Sequence, residues 1–284
     1  MIPQMNKHTN DLEGFPVHAI RPGARRVLQV LSMPLLFFFG LPLLALFVRA
    51  TPVALMANLQ IDQVQQAILL SIGTTLTSTL VTVLFGTPLA YALARGFFPR
   101  QRWIDTLIDL PTVLPPAVAG VALLMAFGRR GILGSYLDLL GFRIAFTPLA
   151  VVLAQTFIAA PLFIKSATLG FSAIDIELEQ AAGLDGANGW QVFRYVIIPL
   201  SWTALLSGSV MTWARALGEF GATIIFAGNF PGRTQTLPLA IYIGFELDLN
   251  VALTLSVILV GFSFLAIMIV KGVLGREYRP PGSL

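Results

Sequence analysis

Few side chains in this sequence can do covalent chemistry. It has no cysteine, and its two histidines, His8 and His18, lie in the polar N-terminal stretch, so thiolate sites and a histidine metal cluster in the body are excluded. No paired carboxylates and no nucleophile–base set fall within its apolar runs, which leaves an intramembrane enzyme without support. No G-x-x-x-x-G-K-S/T phosphate loop is present, so the chain does not use ATP itself. The residues that can act by binding lie in three places. The first is Ile174–Pro199, a polar, helix-forming stretch that holds Asp175, Glu177, Glu179 and Asp185 of the fourteen acidic residues. The second is a row of hydroxyls, Ser71, Thr75, Ser78 and Thr82, at helical spacing on one face. The third is Arg215 with Glu219, four residues apart and placed to pair.

The elements that position them are membrane spans. Hydrophobic residues make up 56% of the 284 and charged residues only 11%, with mean hydropathy +0.81. A water-soluble domain carries about 25% charged residues, so this is an all-α polytopic membrane protein. Six spans of about 20 residues fit a hydrocarbon core of ~30 Å: Val27–Val48, Ala67–Ala94, Leu110–Phe127, Pro148–Leu169, Leu200–Ala222 and Val251–Leu274. Pro34, Gly40 and Pro42 are expected to kink the first. Leu110–Pro116 is too proline-rich for a regular helix interior, so the third helix should start near Pro116. Leu237–Phe245 is too short to span and reads as re-entrant or interfacial. Arg49–Gln66, Arg95–Asp109 and Gly128–Phe146 read as loops, with Lys165 snorkelling near the end of the fourth span. No cleavage-site pattern follows the basic N-terminal stretch, so no removable signal peptide is expected. Twelve of the eighteen Lys and Arg fall on the side of both termini and the 174–199 stretch, which the positive-inside rule makes cytoplasmic. The net charge of +4 fits such anchoring and gives no reason to expect nucleic acid as a partner.

Within 174–199, Asp175–Leu184 carries strong helix formers with acidic residues in its first turn, which suits the helix dipole. Gly186 supplies a helix stop, Asn188 an N-cap for a second short helix to about Ile197, and Pro199 fits the first turn of the next span. Ala181 and Ala182 form a small-residue patch against which another surface can close. Helices lying on membranes usually carry basic faces toward anionic lipid; this one is acidic, which favours a protein partner. Two readings stay open for the hydroxyl row, helix packing or a pore-facing stripe of donors for an anion. Two also stay open for Arg215–Glu219, a structural ion pair closing the fifth span or a basic group drawing an anion into a pore mouth.

The spacing of the loop resembles the EAA loop of importer-type ABC permeases: Glu-Ala-Ala, three residues, Gly, nine residues, Ile-x-Leu-Pro. Ala181, Ala182, Gly186 and Pro199 fall on that pattern, Gln180 stands where the glutamate is usual with Glu179 just before it, and Val196 and Ile198 replace the usual Ile and Leu. The resemblance covers about Ala67–Leu274. Ala214–Ala222 and Ala227–Pro238 are similar to the molybdate/sulfate branch of that family, and Leu110–Pro116 with Phe127–Gly131 resemble its molybdate members. The resemblance implies a molybdate permease subunit with sulfate, thiosulfate or tungstate as alternative cargo. It implies no cofactor in this chain; ATP and Mg would be bound by a separate ATPase. The implied partners are a second copy of the chain, two ATPase subunits, an extracytoplasmic oxyanion-binding protein and the bilayer of a prokaryotic inner membrane. Glu179, Gln180, Ala181, Ala182, Leu184, Gly186, Ala187 and Pro199 would be the ATPase-coupling set, and Ser71, Thr75, Ser78, Thr82, Arg215 and Glu219 the pathway. The expected organisation is a cytoplasmic tail (1–26), a first span with its external loop (27–66), a permease core (67–274) and a cytoplasmic tail (275–284). A secondary transporter is the rival, and the near-absence of charge inside the spans argues against it.

Overall fold

The computed structural model describes residues 22–274, and among these every element is helical. Chain contacts divide it after Arg49, nearer the N-terminus than the expected boundary at residue 66. The first unit is described as one helix, α1 (Pro22–Arg49), which runs unbroken through Pro34, Gly40 and Pro42 and exposes mainly apolar side chains from Val27 to Val48. It starts inside the stretch expected as a tail. The remainder of that tail and the C-terminal tail lie outside the described residues.

The second unit follows as α2 (Pro52–Asn58), α3 (Asp62–Ala94), α4 (Gln101–Val113), α5 (Pro116–Phe127), α6 (Gly134–Leu139), α7 (Pro148–Ser172), α8 (Ile176–Leu184), α9 (Gly189–Val192), a π-helical turn (Phe193–Ile197), α10 (Ile198–Leu200), α11 (Trp202–Leu217), α12 (Gly221–Phe226), α13 (Leu237–Leu247) and α14 (Leu249–Leu274). Four helices, α1, α3, α7 and α14, are long and apolar enough to cross a bilayer alone. Two bent pairs, each apolar enough when taken together, raise the count to as many as six: α4 and α5 meet at 117°, and the run Gly189–Leu200 meets α11 at 72°.

The expected loops are corrected in three places. Arg95–Asp109 is largely α4, whose apolar side (Ile104, Ile108, Pro111) turns inward while Arg102 and Asp105 stay exposed. Arg49–Gln66 holds α2 and the start of α3, and Gly128–Phe146 holds α6. Helix α5 does start at Pro116, and the chain breaks at Leu114–Pro115 because each proline forces its predecessor extended. The fifth span ends at Leu217 rather than Ala222, since Gly218–Phe220 leaves the helix before α12 begins.

The centre of the unit is α3, α7 and α11. They approach through small residues and hydroxyls, as helices must in lipid, where no hydrophobic drive separates helix from solvent. Ser166 donates to the Ala204 carbonyl (2.8 Å), and Trp213 Nε1 donates to the Thr75 hydroxyl (3.0 Å). Buried Phe163, Phe171, Ile164, Val192 and Ile197 join these helices to the 174–199 loop. A second cluster joins α5 and α12 to α7 through Ala119, Leu123, Ala154, Ala222 and Phe226. At that contact the Gly120 backbone lies so close to α12 that a Cβ would sit 2.7 Å from Cβ of Ile225. Gly120→Leu is therefore expected to destabilise the protein by about 1–3 kcal/mol through overpacking. Thermal loss of the monodisperse peak in detergent size-exclusion would show it as a lower midpoint than wild type, and an unchanged midpoint would refute the close contact.

Candidate functional site

The 174–199 loop folds as two short helices with a glycine turn between them. Helix α8 carries Glu177 and Glu179 in its first turn. It ends at Gly186, whose φ of 90° is open only to a residue without a Cβ penalty. The Gly186 N–H bonds to the Gly183 carbonyl (3.1 Å) and the Ala187 N–H to the Ala182 carbonyl (3.0 Å), the two bonds of a Schellman stop. Asn188 then caps α9 in a capping box: its side chain accepts from Gln191 N–H (3.0 Å), and the Gln191 side chain accepts from Asn188 N–H (2.8 Å). The second helix runs on through the π-helical turn to Leu200, so Pro199 lies in the first turn of α10.

The structure separates the two faces of α8. Glu179 points inward and forms an ion pair with Arg95, the residue that ends α3. It also accepts from the Tyr91 hydroxyl (2.9 Å), while Arg95 donates to the Ile174 carbonyl (3.4 Å). The Tyr91 ring sits edge-on to Phe97, Phe171 and Phe193 at 5.1–5.9 Å between centroids. Ala182 and Ala187 are half-buried against the same cluster. Gln180, Ala181 and Leu184 face outward with Ile176 and Leu178, and Leu184 is 90% exposed. Glu179 thus anchors the loop to the spans, and of the neighbours Glu179 and Gln180 it is Gln180 that faces outward, with exposed Asp175, Glu177 and Asp185.

The hydroxyl row is inside the subunit. Ser71, Thr75, Ser78 and Thr82 are each 3% exposed or less. Thr75 and Thr82 donate to carbonyls one turn back, Ser78 to that of Thr75, and Ser71 accepts from the Leu237 N–H (2.6 Å). This arrangement supports the helix-packing reading. Arg215 and Glu219 do meet, at 3.0 Å. Glu219 is fully buried, and its other oxygen accepts from the Ala222 N–H at the start of α12 (2.8 Å). The Arg215 side chain is 39% exposed.

Sequence reasoning missed three charged contacts. Arg95–Glu179 joins residues far apart in sequence, and periodicity carries no such pairing. Lys165, expected to snorkel, pairs with Asp109 of α4 at 2.7 Å. Asp138 of α6 holds Arg143 (2.9 Å) and Arg129 (3.3 Å) together, and the hydrogen bond from Arg143 is the main cause that holds its carboxyl below the usual range. The alternation Arg129–Asp138–Arg143 was the available signal for a clamp.

With that geometry in hand, the relatives can be placed. Residues 86–276 match the family described as "Binding-protein-dependent transport system inner membrane component". The chain belongs to this family. It is 42% identical over 239 residues, covering 84% of this chain and 89% of the relative, to the "Molybdenum transport system permease protein ModB" of Mycobacterium tuberculosis. It is 41% identical over 182 residues (64% of this chain, 80% of the relative) to the protein of the same name from Escherichia coli K12. Among solved structures, a chain of a bacterial alginate ABC transporter in complex with an alginate pentasaccharide-bound periplasmic protein superposes with a TM-score of 0.66 at 16% identity, over 90% of this chain and 96% of that one, which is a likeness of fold. As a member of this family the chain is a multi-pass membrane component of a transport system.

Two predictions follow from the charged contacts. Removing one partner of a largely buried pair strands the other, at a cost of about 3–5 kcal/mol. Glu179→Ala is expected to lower the thermal midpoint and loosen the loop to proteolysis, and the exchange Arg95→Glu with Glu179→Arg should recover part of the loss; equal stability of Glu179→Ala and wild type would refute the anchor. For Asp138, a folded pKa below its unfolded value means the clamp contributes fully above the unfolded carboxylate range and is lost as pH falls through the folded value. The hydrogen-exchange protection factor across residues 129–143, corrected for the intrinsic rate at each pH, should stay flat from neutral pH to about pH 5 and fall only in stronger acid. Loss of protection already near neutral pH would contradict the assignment.

Proposed function

We propose that this chain is the membrane-spanning permease of an ATP-driven oxyanion importer and forms the translocation pathway for molybdate. The observation that carries the substrate is the 42% identity over 84% of the chain to a molybdenum permease. Support for coupling comes from the outward face of α8, with Gln180, Ala181 and Leu184 presented on a helix clamped to the spans through Glu179. In this reading a cytoplasmic ATPase, which binds ATP and Mg, grips that face. The anchor at Arg95 passes its movement to α3, and two copies of the chain tilt to open the pathway inward or outward. An extracytoplasmic binding protein delivers the anion, as the family description implies. The termini and α8 then lie in the cytoplasm of a prokaryotic cell.

Arg215 serves as the polar lead-in of the pathway. Glu219 neutralises most of its charge and fixes its position, so the guanidinium attracts a dianion without holding it. A conducting path must bind weakly enough to let go, and specificity is left to the binding protein. Sulfate is the second reading, because a "Probable sulfate transport system permease protein cysT" of Chlorella vulgaris is 36% identical over 180 residues, 63% of this chain and 68% of that one. Tungstate and thiosulfate share the same charge.

The deciding experiment is ATP hydrolysis by the complex reconstituted with its ATPase and binding protein, titrated with molybdate and with sulfate. Stimulation by molybdate with sulfate inert is the expected result; the reverse moves the assignment to sulfate, and no response from an assembled complex removes the oxyanion. Gly186→Leu should weaken ATPase capture and uptake together, since a side chain at a φ of 90° distorts the stop that sets the two helices. Unchanged capture and uptake would sink the coupling role. Arg215→Gln should slow uptake most at low anion concentration, and a wild-type rate there would leave Arg215 a structural residue only.

A further inference from the structure

The two helices of the 174–199 loop differ in chemistry. Residues Asp175–Asp185 carry four acidic groups and no basic one, whereas Gly189–Leu200 carries a single charge, Arg194. The second helix buries Val192 and Ile197 against the spans, yet Trp190, Tyr195 and Leu200 stand exposed beside Gln191 and Arg194, and exposed Trp202 follows at the start of α11. Large apolar side chains exposed together mark a surface that meets a partner or a membrane.

Its direction matters as much as its composition. The run Gly189–Leu200 meets α11 at 72°, so with α11 crossing the bilayer it lies close to the plane of the membrane surface. Exposed Trp and Tyr on such a helix are the signature of the layer between headgroups and acyl chains. The π-helical turn Phe193–Ile197 shifts the register in its middle. A shallow groove there is lined by Trp190, Phe193, Arg194, Tyr195 and Ile198, with Arg194 beside the Tyr195 ring at 5.9 Å. Among the described residues no carboxylate lies within ion-pair distance of Arg194. A basic group so placed, unpaired and framed by interfacial aromatics, complements a lipid phosphate.

We infer that Gly189–Leu200 is a membrane-surface helix whose Trp190–Arg194–Tyr195 groove binds the headgroup of an anionic phospholipid. The loop is then divided: acidic α8 faces a protein in the aqueous phase, and the second helix faces lipid. The inference goes beyond the transport reading and does not depend on the cargo.

The test uses the permease with its ATPase and binding protein, in nanodiscs of phosphatidylcholine with and without phosphatidylglycerol. Native mass spectrometry should show phosphatidylglycerol retained by wild type and by Arg194→Lys, and about fivefold less by Arg194→Gln, as expected for one surface cation. Phosphatidylcholine retention should not change. In parallel, brominated lipid should quench a tryptophan component that is missing from Trp190→Phe. Equal phosphatidylglycerol retention by Arg194→Gln and wild type would overturn the site. So would a Trp190 that brominated lipid reaches only after the ATPase is removed, since the ATPase would then be what covers this face.

Discussion

The ion pair between Arg95 and Glu179 is the contact that ties the 174–199 loop to the spans. It joins the end of a helix long enough to cross the bilayer to a short helix outside it, and neither partner has much access to water. Burying two charges costs several kcal/mol per ion unless each finds a partner and further hydrogen bonds. Here Tyr91 donates to the carboxylate and the Ile174 carbonyl accepts from the guanidinium. The aromatic cluster around Tyr91 keeps water off and fixes the geometry. A loop tied this way moves with α3 as one body. Without the pair, α8 would hang from the chain at Ile174 and at the glycine turn, and a force applied to it would be lost in the loop.

The same constraint, that every polar group in lipid must be satisfied within the protein, explains the interior of the body. The hydroxyls of α3 return their protons to their own helix, and Ser71 receives the Leu237 N–H. Where helices break, the breaks are filled. Glu219 takes the Ala222 N–H that the stop after α11 leaves open, and Arg215 balances its charge. Gly120 lets the start of α5 close onto α12 at the same level of the fold. Broken helices are tolerated at these points because neighbouring segments complete them.

Much of this was legible in the residues, and what was not has a physical cause. The glycine stop at Gly186, the Asn188 cap and the start of α5 at Pro116 are set by local backbone rules, and a single sequence displays those. The spans were legible because apolar runs of that length have few other uses. The reading of Arg95–Asp109 as a loop failed because its charges drew attention away from the inward apolar side of α4, which is too short to register as a span. The hydroxyl row was found, but its spacing alone left packing and pore open. A helical face carries no label for what it meets, and only the positions of α11 and α13 supply one. Arg95–Glu179 and Lys165–Asp109 were beyond reach for the same reason.

Charge placement connects the two ends of the molecule. Arg215 is the basic residue set beside a helix break, and a bare guanidinium there would bind a dianion too tightly to release it. With Glu219 fixed by α12, the pair is close to neutral, so the pathway role proposed for Arg215 rests on its exposed N–H groups rather than on a full charge. In that proposal, discrimination between tetrahedral dianions falls to the binding protein. Among the described residues, the ion pair with both partners largely buried is Arg95–Glu179, the anchor that holds α8.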